Sequence, residues 1–178
     1  SYTQLLRGQL DDADPRQQLL EKIEKQSFRA AKIINSLLNF SRSSGTEFVR
    51  VDVNKALFDV LSLVEHQLEG ASIRVRREFA SDLPPMRGDE NRIQQVFFNL
   101  VLNARDAMPS GGWLTLATHA DTDTVVVEVK DTGHGIRREH IKRIYDPFFT
   151  TKGMGRGTGL GLSVSYGIVQ EHGGATFV

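Results

Sequence analysis

Leu20, Ile23, Ser27, Ala30, Ile34, Leu37 and Ser41 follow one another at alternating spacings of three and four. This is a heptad seam, and only a helix puts such residues on one line. Phe28, Ala31 and Leu38 widen it. Upstream, "DDADP" (11–15) breaks the pattern. There Asp14 suits an N-cap, Pro15 the first helical position and Gln17 the capping-box position. With Tyr2–Leu10 as the end of a preceding helix, residues 1–45 are expected to form an antiparallel helical hairpin. Two helices with so broad an apolar face cannot bury it between themselves. A four-helix homodimer is therefore favoured over packing on the rest of the same chain.

The seam stops at "SRSSGTE" (41–47), a turn-rich joint that marks the domain boundary. Beyond it, over 46–178, the period changes repeatedly. "FVRVDV" and "SIRVRREF" alternate as strands, with a helix from Asn54 to about Glu69 between them. "GDENRIQQVFFNLVLNARDAM" has the period of a long helix, and "WLTLATH" and "TVVVEVKD" form a hairpin around "ADTD". A short helix (137–144), an irregular stretch (145–158) and a helix (159–172) follow, and "GGATFV" begins a strand. The expected class is α+β, with helices over one face of a mixed sheet. Ending on that strand would leave the sheet one strand short, and "SYTQLLRGQL" already has mid-helix character. The chain is therefore expected to be a fragment cut at both ends.

Composition narrows the function classes. Lys plus Arg and Asp plus Glu both number 22 in 178 residues, so no basic excess points to nucleic acid or an anionic membrane surface. The absence of cysteine excludes disulfides, zinc–thiolate sites and a cysteine nucleophile. No apolar run approaches the roughly 20 residues of a membrane span, and no signal peptide is expected.

The helix at 89–108 carries chemistry. Ile93, Phe97, Leu100, Ala104 and Ala107 share one apolar side, while Arg92, Gln95, Asn99, Asn103 and Asp106 fall within an arc of about 80°. Asparagine is a mediocre helix former, yet Asn99 and Asn103 stack one turn apart, flanked by Val96, Phe98 and Leu102. A solvated face is the ordinary reading of such a stripe. Its apolar borders favour the floor of a pocket instead, and amide oxygens are hard ligands suited to Mg²⁺ beside phosphates.

Two loops complete the pattern. "VKDTGHGI" (129–136) ends a strand on Asp131, followed by Gly133 and Gly135. Such a carboxylate can accept from an exocyclic amine while glycines admit a flat ring, although an Asp-Gly turn explains it about as well. "KGMGRGTGLGLS" (152–163) has glycines at alternating positions from Gly153 to Gly161, and it fits neither the P-loop nor the dinucleotide fingerprint. It carries Lys152 and Arg156 and feeds directly into a helix, whose N-terminal N–H groups suit phosphate. Thr158, Gly159, Leu160 and Gly161 form that entry.

Taken together, "QQVFFNLVLNARDAM", "DTGHGI", "YDPFFTTK", "GTGLGL" and "HGG" resemble, in order, the N, G1, F, G2 and final boxes of the ATP-binding domain of sensor histidine kinases. That domain belongs to the superfamily shared with gyrase, MutL and the large heat-shock chaperones. The hairpin resembles the dimerisation and phosphotransfer bundle of the same family. The resemblance implies a two-layer α/β sandwich of the Bergerat type with ATP beneath a mobile lid. It implies Asp131 on the adenine amine, and Asn103 with Asn99 on Mg²⁺. It also implies Gly133, Gly135 and Thr158–Gly161 along the nucleotide, and Lys152 or Arg156 on the phosphates. Residues 150–157 are expected to be the most disordered internal stretch without nucleotide.

One departure stands out: many relatives carry Lys where this chain has Asp106, so phosphate contact is expected to shift to the lid or to Arg105. Hydrolysing relatives place a Glu where Asn99 stands, and an amide takes no proton from water. Transfer to a protein histidine, then to a response-regulator receiver domain, is thus favoured over an ATP-hydrolysing conformational machine or a non-catalytic dimeric module. The phosphoacceptor histidine is expected upstream of Ser1. His66, His119, His134, His140 and His172 suit surface, packing or hydrogen-bonding roles. The implied location is cytoplasmic, or the cytoplasmic part of a membrane-bound sensor.

Overall fold

The structure is a computed structural model that describes Leu10, Asp14, residues 16–20, Ile23, residues 48–152 and residues 157–178. The hairpin, its dimer face, the heptad seam apart from Leu20 and Ile23, the 41–47 joint and Arg156 lie outside the described residues, as does the middle of the 150–157 stretch. Ser1–Ser44 and Gly45–Val178 are separate compact units. In the first, residues 16–20 are helical. Asp14 Oδ1 accepts the Arg16 N–H at 2.8 Å in the manner of an N-cap. Gln17 Nε2 reaches back to the Leu10 carbonyl at 3.2 Å.

The second unit opens with β1 (Val49–Val51), shorter than the alternation of "FVRVDV" implies. Asp52 ends it by turning the chain: its carboxylate accepts the Lys55 N–H and caps helix α1 (Val53–Gly70). Then come β2 (Ile73–Phe79), β3 (Met86–Gly88), α2 (Glu90–Ala107), β4 (Gly112–Asp121) and β5 (Thr124–Asp131). Short α3 (Arg138–Ile141) and α4 (Gly161–Glu171) complete the order. β2, β4 and β5 form one sheet in that spatial order, with β2 parallel and β5 antiparallel to β4. β1 pairs with β3 as a separate antiparallel ribbon.

The core lies between this mixed sheet and the helices, as the two-layer α+β class requires. α1 supplies Ala56, Leu57, Val60, Leu61, Val64 and Leu68; the sheet supplies Ile73, Leu114 and Leu116; α4 supplies Val164 and Ile168. α2 buries Ile93, Val96, Phe97, Val101 and Ala104, whereas Leu100 and Ala107 are only half-buried. The buried face is rotated from the expected one because α2 packs on α1 and α4 together. Between α1 and the sheet, Thr118 is buried but satisfied, donating to Asn54 Oδ1 and accepting from the Ala80 N–H.

Two other sequence expectations need correction. The helix foreseen over 137–144 is confined to α3, and turns follow it. Residues 174–178 form no strand: the Gly174 N–H returns to the Val169 carbonyl to close α4, and no ladder bond engages the segment.

Candidate functional site

The candidate residues meet on α2, and its termini explain its position. Asp89 caps the N-terminus by accepting the Arg92 N–H at 3.1 Å. Glu90 in the first turn and Arg105 in the last both suit the helix dipole. The polar stripe then divides along the axis. In its first half the partners come from α4. Arg92 Nη1 meets Glu171 Oε2 at 2.6 Å. Asn99 Nδ2 donates to the Gly161 carbonyl at 3.2 Å and to Ser165 Oγ at 3.3 Å. A carbonyl only accepts, so the Asn99 amide is oriented with nitrogen toward α4.

His172 ties the same two helices. Its Nδ1 lies 2.7 Å from the Ile168 carbonyl, so this nitrogen bears the proton, and Nε2 accepts the Asp89 N–H at 3.0 Å. The ring is thereby held as one neutral tautomer. Phe48 lies against it at 4.9 Å between ring centroids.

In the second half the partner is a loop cation. Lys152 Nζ sits 3.2 Å from Asn103 Oδ1 and 2.6 Å from Asp106 Oδ2. Asp106 Oδ1 accepts Nε and Nη2 of Arg105, whose Nη1 donates to Gln67 Oε1 on α1. Burial pushes the Asp106 carboxyl up, but the Lys152 ammonium and the Arg105 guanidinium outweigh it and hold it below the usual carboxylate range. Arg105, one of two expected substitutes for a missing lysine, is thus committed to Asp106 and Gln67. The loop lysine Lys152 is the other cation at Asp106.

The Asp131 turn abuts the end of the same helix. Asp131 Oδ1 accepts the Gly133 N–H at 2.8 Å, while Oδ2 takes no hydrogen bond among the described residues. The His134 N–H donates to the Ala107 carbonyl at 3.1 Å. A Cβ on Gly133 would stand 2.4 Å from that same oxygen, so only glycine allows this approach. Gly135 lies in open space beyond it.

The third segment enters from the other side. Tyr145 packs on Tyr166 of α4 at 4.9 Å, and Phe149 lies between His140 and Arg143. Gly159 has φ +66°, and a Cβ there would be 2.3 Å from the Phe148 carbonyl carbon, so the chain cannot turn here with another residue. Thr158 Oγ1 accepts the Leu160 N–H at 3.4 Å. Leu160 buries its side chain in the core, leaving only its backbone for a ligand. The N–H groups of Gly161, Leu162 and Ser163 have no acceptor among the described residues, as the first turn of a helix leaves them. They make an anion-binding end.

The donor set fits a hard divalent cation. Asn103 Oδ1 and Asp106 Oδ2 would offer such an ion oxygen atoms, and the ammonium between them shows that the position suits positive charge. Among the described residues no group of three or more His, Cys, Asp or Glu could hold a metal alone, so remaining ligands would come from substrate or water. Elsewhere, exposed His66 pairs with Glu69 and His119 with Glu128. The sequence reading singled out Asn99, Asn103, Asp131, Lys152 and the α4 entry as candidates, and the structure gathers their segments along α2. It did not anticipate the pairing of Lys152 with Asp106. Opposite charges on a helix stripe and a facing loop were the only signal for it.

Comparison with known proteins identifies the family. The profile of the family described as "Histidine kinase-, DNA gyrase B-, and HSP90-like ATPase" matches residues 88–178. The chain is 38% identical to the sensor kinase CckA of Brucella abortus (strain 2308), over 91% of this chain and 19% of that protein. It is 34% identical to the catalytic domain of histidine kinase ThkA in a nucleotide-free form, with a TM-score of 0.65 over 71% of this chain and 82% of that one. A complex of ThkA with the response regulator protein TrrA matches at 28% identity, with a TM-score of 0.74 over 97% of this chain and 49% of that chain. The chain spans only 19% of CckA and 40% of sporulation kinase C of Bacillus subtilis.

Proposed function

The chain belongs to the family of histidine kinase-, DNA gyrase B- and HSP90-like ATPases, and we propose that it is the ATP-binding catalytic region of a sensor histidine kinase. The observation that carries this reading is convergence. The Asp131 turn, Lys152 and the α4 N-terminus all reach α2 between Asn99 and Ala107, about 12 Å of helix axis.

The roles follow from the chemistry of each group. Asp131 Oδ2 accepts from the adenine amine, and Gly133 and Gly135 let the ring approach. Asn103, with Asn99, supplies oxygen to Mg²⁺. When bound, the ion neutralises phosphate charge and orients the terminal phosphoryl group. The N–H groups at Thr158–Gly161 and the Lys152 ammonium take the phosphate oxygens, with Arg156 as a second cation. Phosphoryl transfer asks mainly for positioning and charge neutralisation, and these are the groups gathered here. The acceptor is a histidine on the first helix of the phosphotransfer bundle, and the relay continues to a response-regulator aspartate. The ThkA–TrrA complex supports such a partner. The hairpin in 1–45 serves as the homodimer contact. No helix among the described residues is long and apolar enough to cross a membrane, and we assign this segment to the cytoplasm.

An ATP-hydrolysing machine is the alternative within the family. Asn99 argues against it, since its amide cannot accept a proton from water and its nitrogen is tied to Gly161. Asn99→Glu is expected to gain hydrolysis. Calorimetry with Mg²⁺–ATP, followed by incubation of γ-labelled ATP with the histidine-bearing helix of the parent protein, tests the proposal. Binding with acid-labile, base-stable label on that histidine supports it. Rapid phosphate release by the present chain with no labelled histidine would overturn it.

A further inference from the structure

The contact between Lys152 and α2 has the form of a filled cation site. The ammonium lies against one amide oxygen and one carboxylate oxygen, Asn103 Oδ1 at 3.2 Å and Asp106 Oδ2 at 2.6 Å, one helical turn apart. A solvated surface pair would be a weak contact. This one differs in three respects. Lys152 and Asp106 are about two-thirds screened from solvent, at 33% and 30% side-chain exposure. Arg105 grips Asp106 Oδ1 through Nε and Nη2 and so aims Oδ2 at the slot. Gln67 in turn fixes Arg105.

We propose that Asp106 and Asn103 form one cation slot, occupied by the Lys152 ammonium when no nucleotide is present and by the divalent ion when one is. The inference rests on the nucleotide reading of the site. Two cations cannot share the same pair of oxygens, because like charges about 3 Å apart repel strongly in a partly desolvated site. The arriving ion therefore expels Lys152, and the phosphates that accompany the ion give the freed ammonium a new partner. Asp106 thus does two jobs. It holds the lysine beside the site before binding, and it offers the ion a carboxylate oxygen, a harder and more strongly charged ligand than the amide alone. This gives a physical reason for an acid where many relatives carry a lysine. The positive charge is delivered by the loop, and it is exchangeable.

The test uses Mn²⁺ as a paramagnetic probe, without nucleotide, on the whole chain. Wild type, Lys152→Gln, Lys152→Arg and the double variant Lys152→Gln/Asp106→Asn are titrated, and line broadening of the Asn103 and Asp106 amide signals is followed. Lys152→Gln is expected to bind Mn²⁺ at least tenfold more tightly than wild type, with broadening centred on Asn103 and Asp106. Lys152→Arg, which keeps the charge, shows no gain, and the double variant loses it. Equal affinity in wild type and Lys152→Gln, a gain that survives Asp106→Asn, or broadening centred elsewhere would overturn the exchange. A parallel Mg²⁺–ATP titration of the wild type separates the two claims. ATP binding with failed Mn²⁺ arms sinks the exchange alone, whereas no ATP binding with successful Mn²⁺ arms sinks the nucleotide reading alone.

Discussion

The two halves of the α2 polar stripe use similar residues for different ends. From Asp89 to Asn99 the Asp89 N–H, Arg92 and Asn99 Nδ2 are paired with α4 and its C-cap, through His172, Glu171, Gly161 and Ser165. From Asn103 to Ala107 they face a loop lysine and the Asp131 turn. The first half braces one helix on another, and the exception is the Asn99 amide oxygen at its boundary, which takes no hydrogen bond among the described residues. The second presents oxygens and a single exchangeable cation. Amphipathic pattern alone does not distinguish the two, since both lie on one arc of one helix. What separates them is the partner: a helix that stays or a group that can leave.

The sharpest way to break this comparison is to remove an oxygen from the second half. Asn103→Ala is expected to weaken Mg²⁺–ATP binding by about ten- to a hundredfold in calorimetry, as losses around metal sites commonly do, with little change in melting temperature. Equal affinity would show that the second half holds no ligand. Next in size is Gly133→Ala, whose Cβ meets the Ala107 carbonyl oxygen at 2.4 Å. It should cost about 1–3 kcal/mol of stability in urea unfolding and also weaken ATP, because the Asp131 turn is pushed off α2.

His172→Ala addresses the bracing half. It leaves the Asp89 N–H without its acceptor, at a cost of about 1–2 kcal/mol, and the ATP dissociation constant should stay as it was. A large loss of affinity with full stability would mean that the brace is part of the site. Arg92→Ala is the smallest change. Its ion pair with Glu171 involves a half-exposed carboxylate, so less than about 1 kcal/mol is expected, with no effect on nucleotide.

Much of this arrangement was legible in the sequence because periodicity records burial and glycine records close approach. The strands and helices of 48–172 follow from alternation and helical spacing, with errors at their ends. Asp52 shows why: one side-chain oxygen on the Lys55 N–H begins a helix two residues after a strand that propensity would continue. β3 was not foreseen, since three residues carry too little pattern and its existence depends on β1. Asn103, Asp131 and Lys152 stood out because polar groups and glycines in such settings need a reason. Their pairings did not stand out. Whether Asp106 receives Arg105, Lys152 or both depends on which side chain reaches it across 46 residues of sequence, and spacing along one helix does not contain that.

The central claim is that the ligand-binding half of α2 is its C-terminal half. Amide chemical-shift mapping of the chain during titration with Mg²⁺–ATP measures this directly. The account expects saturable shifts at Asn103, Asp106, Gly133, Gly135 and Thr158–Gly161, with Asp89, Arg92 and His172 nearly unmoved. Shifts centred on Arg92 and His172, or none at millimolar nucleotide, would contradict it.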